Sequence, residues 1–566
     1  MKTILFFLLI PAMLLAQWQP DGLPFLASKY SESIEYLLPD DEGNVYVFWF
    51  SMNLGFKIRV GKVDTAGYRM WPTDSLLVCY YPEQQRGDHA VPDGEGGFVV
   101  AWRDTRADLG AGDIYAQRVD KKGNLLWDVN GVPVIIAEDY QDDVKLCMLA
   151  DSTFVITCTD ERIGFNKANI YAQRLDKNGN MLWDSSGIRL TYRKSNNMYF
   201  NWQQKLLSCE DTTFIMVWNF DNYGDDHTNI YAQKIDRDGN FLWDSLGVAV
   251  AHLPYPQGEY GDFSICSDGA GGVVVAWHDQ RDYWNHGVYV QRVDSTGRCL
   301  WQDNGILQPG SYYHPTIILA DSMQYLLFWD NISIRVQKIN ANGDFLFGKY
   351  GKIISYDTTG WGADYPYVIK SNDKAIVVWR RGNSEGIIDL YSQKIDFNGN
   401  RLWGNKDVPV CTAYGDQYNI RMCSDLHGGA YVAWIDERDM PNHHITDAYL
   451  QRIYADGHAG GVTSISLPDF KLPLSPILYQ NYPNPFNRQT VIRFHLPETM
   501  PVSLAIYNLQ GQKVKTLLSQ KYLRGGEHHV NWSGENDHGV ALSSGVYFVR
   551  LHTGGHQFIK KLVYLR

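Results

Sequence analysis

A strip reading IYAQRVDKKGNLLWD from Ile114 returns along the chain, and this recurrence limits what the chain can fold into more than any other feature. It reappears as IYAQRLDKNGNMLWD from Ile170, IYAQKIDRDGNFLWD from Ile230 and VYVQRVDSTGRCLW from Val288. Weaker copies start at Ile334, Leu390 and Tyr449. Its glutamine slot falls at Gly61, Gln117, Gln173, Gln233, Gln291, Gln337, Gln393 and Gln451, eight copies spaced 46 to 60 residues apart. A period of this size marks a solenoid, a propeller or an array of small modules.

Within one copy (residues 87–135) the segments are short, rich in β-branched and aromatic residues, and separated by Gly/Asp turns. They read as four antiparallel strands, with no 3.6-residue periodicity. Four strands per 50–60 residues is the size of one propeller blade. Fourteen of the 18 tryptophans fall into two repeat slots. Trp49, Trp102, Trp218, Trp277, Trp329, Trp379 and Trp434 are expected to end the second strand. Trp18, Trp71, Trp127, Trp183, Trp243, Trp301 and Trp403 are expected to begin the fourth. Flat side chains at fixed positions suit face-to-face packing of neighbouring sheets. The last copy stops at Asp456-Gly457 without a fourth strand, while Trp18-x3-Gly22-x-Pro24 repeats the spacing of Trp127-x3-Gly131-x-Pro133. The expectation is an all-β, eight-bladed propeller, preferred over seven blades, in which the N-terminal strand completes the last blade and hides an exposed edge.

The ends of the chain read differently. Residues 1–16 carry Lys2, an apolar run and a small residue at Ala16, the pattern of a secretory signal peptide. The propeller is then expected over 17–458 and a Gly/Ser/Pro linker over 459–475, with a second domain over 476–566. Net charge of −12 argues against nucleic acid or an anionic membrane as the main partner. Eight cysteines could pair in an oxidising compartment. However, Cys209, Cys266 and Cys423 each stand two residues before an Asp in one repeat slot, with Cys147 two residues further back, so buried unpaired thiols are expected. No metal-ligand spacing and no cofactor motif is present.

The C-terminal region opens with Tyr482, Pro483, Asn484, Pro485, Phe486 and Asn487. It continues through IYNLQGQKV, with Gly511 in its turn, to SGVYFVRL, with Gly545 at its start. Physical reading alone gives about seven short strands in a small sandwich. The ordered motif set closely resembles the type A sorting domain of type IX secretion cargo, an immunoglobulin-like tail over residues 476–566. A merely structural sandwich, as in flagellar hook-capping proteins, is the alternative. The resemblance implies passage through the periplasm and outer membrane, the type IX machinery and a sortase-like peptidase as partners, and release or anchoring at the cell surface.

Chemistry is expected at the blade end that carries the long, variable loops. Trp202, Trp284 and Trp361 map there. Acidic residues stand nine positions before the turn Asp of several copies: Glu32, Asp142, Glu259, Asp364 and Asp416. Trp202, Tyr312 and Gln84 fill this slot in other copies. Rings beside carboxylates suit sugars, stacking on C–H faces and accepting hydroxyls, although such residues can equally line and solvate a channel mouth. Only five residues separate Trp329 from Arg335, where most copies have 11 to 14, which suggests a notch near blades five to seven. Asp-x-Arg pairs at Asp104, Asp160, Asp279 and Asp436 read as loop fasteners. The DxxGN turns lack the carboxylate string that calcium needs. The functional expectation is non-catalytic binding of a glycan or surface partner. A glycan-active enzyme, glycosidase or lyase, with carboxylates at the mouth is the alternative.

Overall fold

The computed structural model describes residues 18–460 and 476–565, apart from 27–32, 52–55, 72–74, 107–111, 193–197, 223–226, 258–262, 282–285, 312, 356–361, 384–385, 439–445, 479–480, 482–483, 497–499, 524–525 and 554. The predicted signal peptide and nearly all of the predicted linker lie outside the described residues. All regular structure among the described residues is β. The chain divides into two compact units, Met1–Thr463 and Ser464–Arg566.

The first unit is a succession of eight four-stranded antiparallel sheets, here repeats 1 to 8, whose first strands begin at Ser33, Gln85, Gln141, Tyr199, Phe263, Tyr313, Ala363 and Gln417. Repeats 3 and 4 are also joined by a short parallel contact through Lys167 and Tyr199. Repeat 2 shows the pattern: Gln85–Pro92, Phe98–Asp104, Asp113–Val119 and Val132–Ile135. The paired fourth strand begins after Gly131, not at Trp127; Leu125 makes only an isolated bridge to Val119. Repeat 8 takes its fourth strand from the N-terminus, where Leu23 pairs with Leu450 and Pro24 with Tyr449.

The recurring residues explain how each sheet is held and how it meets the next. In repeat 2, Gln117 accepts the N–H groups of Arg118 and Trp127 and donates to the Asp128 carbonyl. In repeat 8, Gln451 donates to Gln19, 432 positions away, at 2.7 Å. In six repeats the tryptophan before the fourth strand donates to the hairpin turn of the following repeat, whereas Trp71 of repeat 1 has no such bond among the described residues and Phe347 stands in repeat 6. Trp127 donates to Lys177 O, Trp243 to Ser295 O, Trp301 to Ala341 O, and Trp18 to Thr65 O, at 3.0–3.1 Å. Gly131 and Gly22 have φ of 79° and 89°. A Cβ there would come within 2.5 Å of the Trp102 ring and 2.4 Å of the Trp434 ring, so both demand glycine for backbone and for space. One apolar cluster joins Trp18, Phe25, Tyr431 and Leu450 to Ile34, Val47 and Trp49, and repeat 8 thereby packs on repeat 1.

The first strands carry a second set of fasteners. Tyr36, His89, Lys145, Lys205, Ser264, Thr316, Tyr367 and Arg421 occupy one register position. His89 Nδ1 accepts Leu146 N–H, Lys205 donates to Phe263 O, Thr316 donates to Pro366 O, and Arg421 donates to Glu35 O. Each bond runs to the next repeat, and the last runs from repeat 8 to repeat 1.

The second unit has two sheets, of three and four strands, over one apolar core that includes Ile492, Phe494, Leu504, Trp532 and Leu551. Phe486 is buried against Trp532 and Tyr564, with ring centres 5.4 and 5.0 Å away. Asn484 accepts Val563 N–H and donates to Lys561 O. Gly511 takes φ of 75° in the Asn508–Gln512 turn, and Gly545 opens the strand Gly545–Thr553. Tyr482 and Pro483 lie outside the described residues.

Candidate functional site

Seven first strands carry an extra residue near their start, at the end of the sheets with the long loops; repeat 1 has it at Glu35, and the other six share one bulge geometry. In each of the six, one residue adopts a left-handed backbone: Gly87, Asp143, Gln203, His314, Tyr365 and Asn419, with φ between 49° and 60°. Glycine and asparagine tolerate this region, whereas histidine and tyrosine occupy it at a cost. Bulges of this kind re-aim side chains and recur beside active sites.

Strand pairing aligns the repeats differently from the spacing of their turn Asp residues. The position just before the bulge is held by Arg86, Asp142, Trp202, Tyr313, Asp364 and Tyr418, each facing the equivalent second-strand residue. Asp142, Trp202 and Asp364 therefore do share a slot. Asp416 and Gln84 do not; both precede the strand. Counting nine back from an Asp fails because the turns differ in length, Asp93–Gly97 spanning five residues while Ser371 pairs directly across its turn with Lys374. The same variation misplaces the cysteines. Cys147, Cys266 and Cys423 are equivalent, facing Val155, Val274 and Tyr431, and Cys209 is the outlier. All eight thiols are unpaired, and burial pushes Cys147 up to about 12.

The expected acids are occupied. Asp142 accepts the Tyr140 hydroxyl at 2.6 Å, and burial together with this bond pushes Tyr140 up to about 12. Asp364 holds Arg380 through two bonds of 3.0 and 2.9 Å. Asp416 accepts Ile388 N–H at 2.9 Å. Trp202 is half-buried, and its Nε1 is buried with no hydrogen-bond partner among the described residues. Asp142 and Trp202 stand on adjacent repeats, where Gln203 N–H meets Asp143. Trp284, Trp361, Glu259, Glu32 and Tyr312 lie outside the described residues.

A denser cluster spans repeats 5 to 7. His314 stacks on Tyr365 with ring centres 3.6 Å apart, and its Nδ1 lies 2.7 Å from Asp330. Tyr365 N–H donates to the same carboxylate at 2.9 Å. Arg380 covers the Tyr365 ring at 3.8 Å. Tyr313 lies 4.9 Å from His278, which stacks on His286 at 5.5 Å. Burial, and then the neighbouring His286, push the His278 imidazole down to about 4. Tyr313 and Tyr365 are 43% and 37% exposed, while Asp330 is 4% exposed. The shortened connection of repeat 6 is a tight turn, with Asn331 facing Ser333 and Ile332 at its corner. Except for Asp364, none of these residues was singled out from the sequence. The available signal was Tyr313-His314 at a first-strand start, two residues before the register position shared by all eight repeats.

The other recurring features are structural. Asp104, Asp279 and Asp436 accept the indole N–H of Trp102, Trp277 and Trp434 at 2.8–2.9 Å and pair with Arg106, Arg281 and Arg438. Those arginines continue to backbone carbonyls at Asn130, Asn304 and Asp21. A cavity of about 300 Å³ is lined by His89, Lys145, Leu146, Lys205, Leu206 and Ile265. Among the described residues there is no group of three or more His, Cys, Asp or Glu able to hold a metal ion, and no helix long and apolar enough to cross a membrane.

Solved structures give only distant likenesses. A thermostable family-43 glycoside hydrolase is 14% identical and covers 50% of this chain and 97% of its own, with a TM-score of 0.29. An alpha-L-arabinanase from Penicillium chrysogenum, complexed with arabinobiose, is 11% identical over 56% of this chain and 94% of its own, at 0.31. The alpha-L-arabinofuranosidase Arb93A from Fusarium graminearum is 9% identical over 68% and 97%, at 0.33. Likeness at that level carries neither fold nor activity to this chain. No curated protein matches it. The C-terminal unit is different, because residues 480–565 match the family model of the Secretion system C-terminal sorting domain. The chain thus carries a type IX secretion C-terminal sorting domain and is exported to the cell surface or secreted.

Proposed function

We propose that residues 17–458 form an eight-bladed β-propeller whose loop-bearing end binds a glycan outside the cell. The observation that carries this reading is the ring ladder Tyr313–His314–Tyr365, with two half-exposed phenols above a buried carboxylate, beside the tight turn at Ile332. Aromatic faces offer stacking to sugar C–H groups, while Asp364, Arg380 and the phenol hydroxyls offer hydrogen bonds. The cross-repeat bonds that run from repeat 8 to repeat 1 support the ring. Trp202, Trp284 and Trp361, with Asp142, Glu259 and Asp416, remain proposed contributors on the same end. Tyr365→Ala should weaken binding of glycan-array hits about tenfold, the worth of one ring contact of roughly 1.4 kcal/mol. Unchanged affinity moves the site elsewhere.

The tail is proposed to be a removable address of immunoglobulin-like topology, cut in residues 459–475 after export. Mass spectrometry of the secreted protein checks this. A mature form ending before residue 476 is expected, and one retaining Arg566 contradicts removal.

A further inference from the structure

We infer that the site at repeats 5 to 7 cleaves the glycan it holds by β-elimination at a 4-linked uronate residue, with His314 as base and Tyr313 as acid. The inference rests on the glycan-binding reading above. Its starting point is the set of groups present. Glycoside hydrolysis uses two carboxyl groups facing one bond. Here Asp330 is buried beneath His314, and Asp364 is tied to Arg380 by two bonds. What the cluster presents at its exposed side is imidazole and phenol.

Imidazole and phenol are the groups of a proton-abstraction site. The Asp330 carboxylate can only accept, so His314 Nδ1 carries the proton of that 2.7 Å bond, and Nε2 is the ring nitrogen able to take another. A buried carboxylate that fixes tautomer and orientation in this way is the positioning half of a general-base pair. Asp330 is itself fixed by Tyr365 N–H. Both residues bound to it, His314 and Tyr365, sit in left-handed backbone, with φ of 54° and 52°. Equivalent bulges elsewhere carry Gly, Asp, Gln or Asn, so the two largest side chains occupy this costly conformation at one carboxylate.

The step balances without water, metal or co-reactant. His314 Nε2 takes the C5 proton, the C5–H pair becomes the C4=C5 double bond, and the C4–O4 bond breaks. Its electron pair leaves on O4, which takes the Tyr313 hydroxyl proton. The Tyr313 and His314 ring centres are 5.9 Å apart, close enough to flank C4 and C5 of one sugar. Abstraction at C5 requires an adjacent carboxylate whose developing charge is stabilised. Arg380, stacked on Tyr365 and paired with the half-exposed Asp364, is the cation that can exchange its partner for that group. His314 meets Asp330, Tyr313 and Tyr365. Beyond them Arg380 covers the Tyr365 ring and pairs with Asp364, while His278, its imidazole pushed down by burial, and His286 stand against Tyr313.

The test uses the full secreted chain with polygalacturonate, alginate and hyaluronate. It reads binding by calorimetry, new reducing ends, and the ultraviolet absorbance of a C4=C5 bond conjugated to the carboxylate. Absorbance should rise with at least one polymer. His314→Gln should lower kcat at least about 100-fold, a loss far larger than the change it makes in Kd as one ring of the ladder. Asp330→Asn should move the acid limb of kcat to lower pH, since the imidazolium loses its counter-ion, a shift that a merely structural role would not produce. Binding that depends on Tyr365 with no absorbance overturns the elimination and leaves the binding reading standing. Reducing ends without absorbance mean hydrolysis and also overturn it. Absence of both binding and turnover sinks both readings.

Discussion

Repeats 2, 5 and 8 and repeats 6 and 7 are built on one pattern but treat the end of the second strand differently. In the first group a buried Asp takes the indole N–H and an Arg closes over it, stacked on Tyr115, Tyr289 or Tyr449 at 3.6–3.8 Å. In repeats 6 and 7 the Asp position is held by Asn331 and Arg381, and Trp329 and Trp379 keep buried indole nitrogens with no hydrogen-bond partner among the described residues. An unsatisfied buried donor costs about 1–3 kcal/mol. Repeats 1 and 4 also lack the Asp, with Ser51 and Phe220 in its place, but in repeat 4 Trp218 donates to Asn201. In repeats 6 and 7 the indole has no such substitute among the described residues, and the two bulky left-handed residues of the ring cluster lie on them. The contrast marks where the repeated stabilising device stops, and the candidate site begins at its edge, since His278 stands beside the Asp279 fastener of repeat 5 while His314 and Tyr365 stand on repeats without one.

That contrast can be broken in several ways. The largest effect should come from deleting residues 18–26, which removes three buried side chains, Trp18, Phe25 and Leu26, worth about 6 kcal/mol together by burial alone. Aggregation or a fall in melting temperature of more than about 10 °C is expected on thermal denaturation, and an unchanged value would refute the role of the N-terminal strand. Asp279→Ala should cost about 3–5 kcal/mol in chemical denaturation, because it strands Arg281 and the Trp277 donor. Asn331→Ala should cost under about 1 kcal/mol, and equal costs would erase the distinction between the two groups.

Acid should act on the specialised side. His278 has a folded value of about 4 against 6.5 unfolded, so between those limits the unfolded chain binds more protons and stability falls as pH drops. A loss of about 2 kcal/mol between pH 7 and pH 5 is expected from this group, at about 1.4 kcal/mol per unit. His278→Asn should remove that part of the slope. The smallest stability effect should be that of Tyr365→Ala, within about 1 kcal/mol, because its ring is exposed and alanine bears the same left-handed backbone cost as tyrosine. A large destabilisation would make the ladder scaffold.

The repeat period, the strand content and the sorting tail were legible in the sequence, since Trp, Gln and Gly recur wherever one packing problem is solved again. Trp18, Gly22 and Pro24 could be placed against Trp127, Gly131 and Pro133 for that reason. The candidate site was only half legible. Asp364 and the short connection after Trp329 pointed to repeats 5 to 7, but Tyr313, His314 and Asp330 went unseen. Turn lengths shift the register that simple counting assumes, and a bulge leaves no mark in an alternating pattern. His314 and Asp330 lie 16 positions apart on two strands, and only the pairing of those strands brings them together.

The bond from Gln451 to Gln19 joins segments 432 positions apart, whereas the same bond in repeat 2 spans 11. Loop-closure entropy grows only as the logarithm of length, so joining the chain ends costs roughly 2 kcal/mol more than closing a loop of one repeat. That sum is small beside the apolar surface the joint buries. The same joint is nevertheless the last contact available to a chain emerging from its N-terminus, because Gln451 must exist before Gln19 has a partner. Order of synthesis, more than free energy, therefore sets when this domain can become whole.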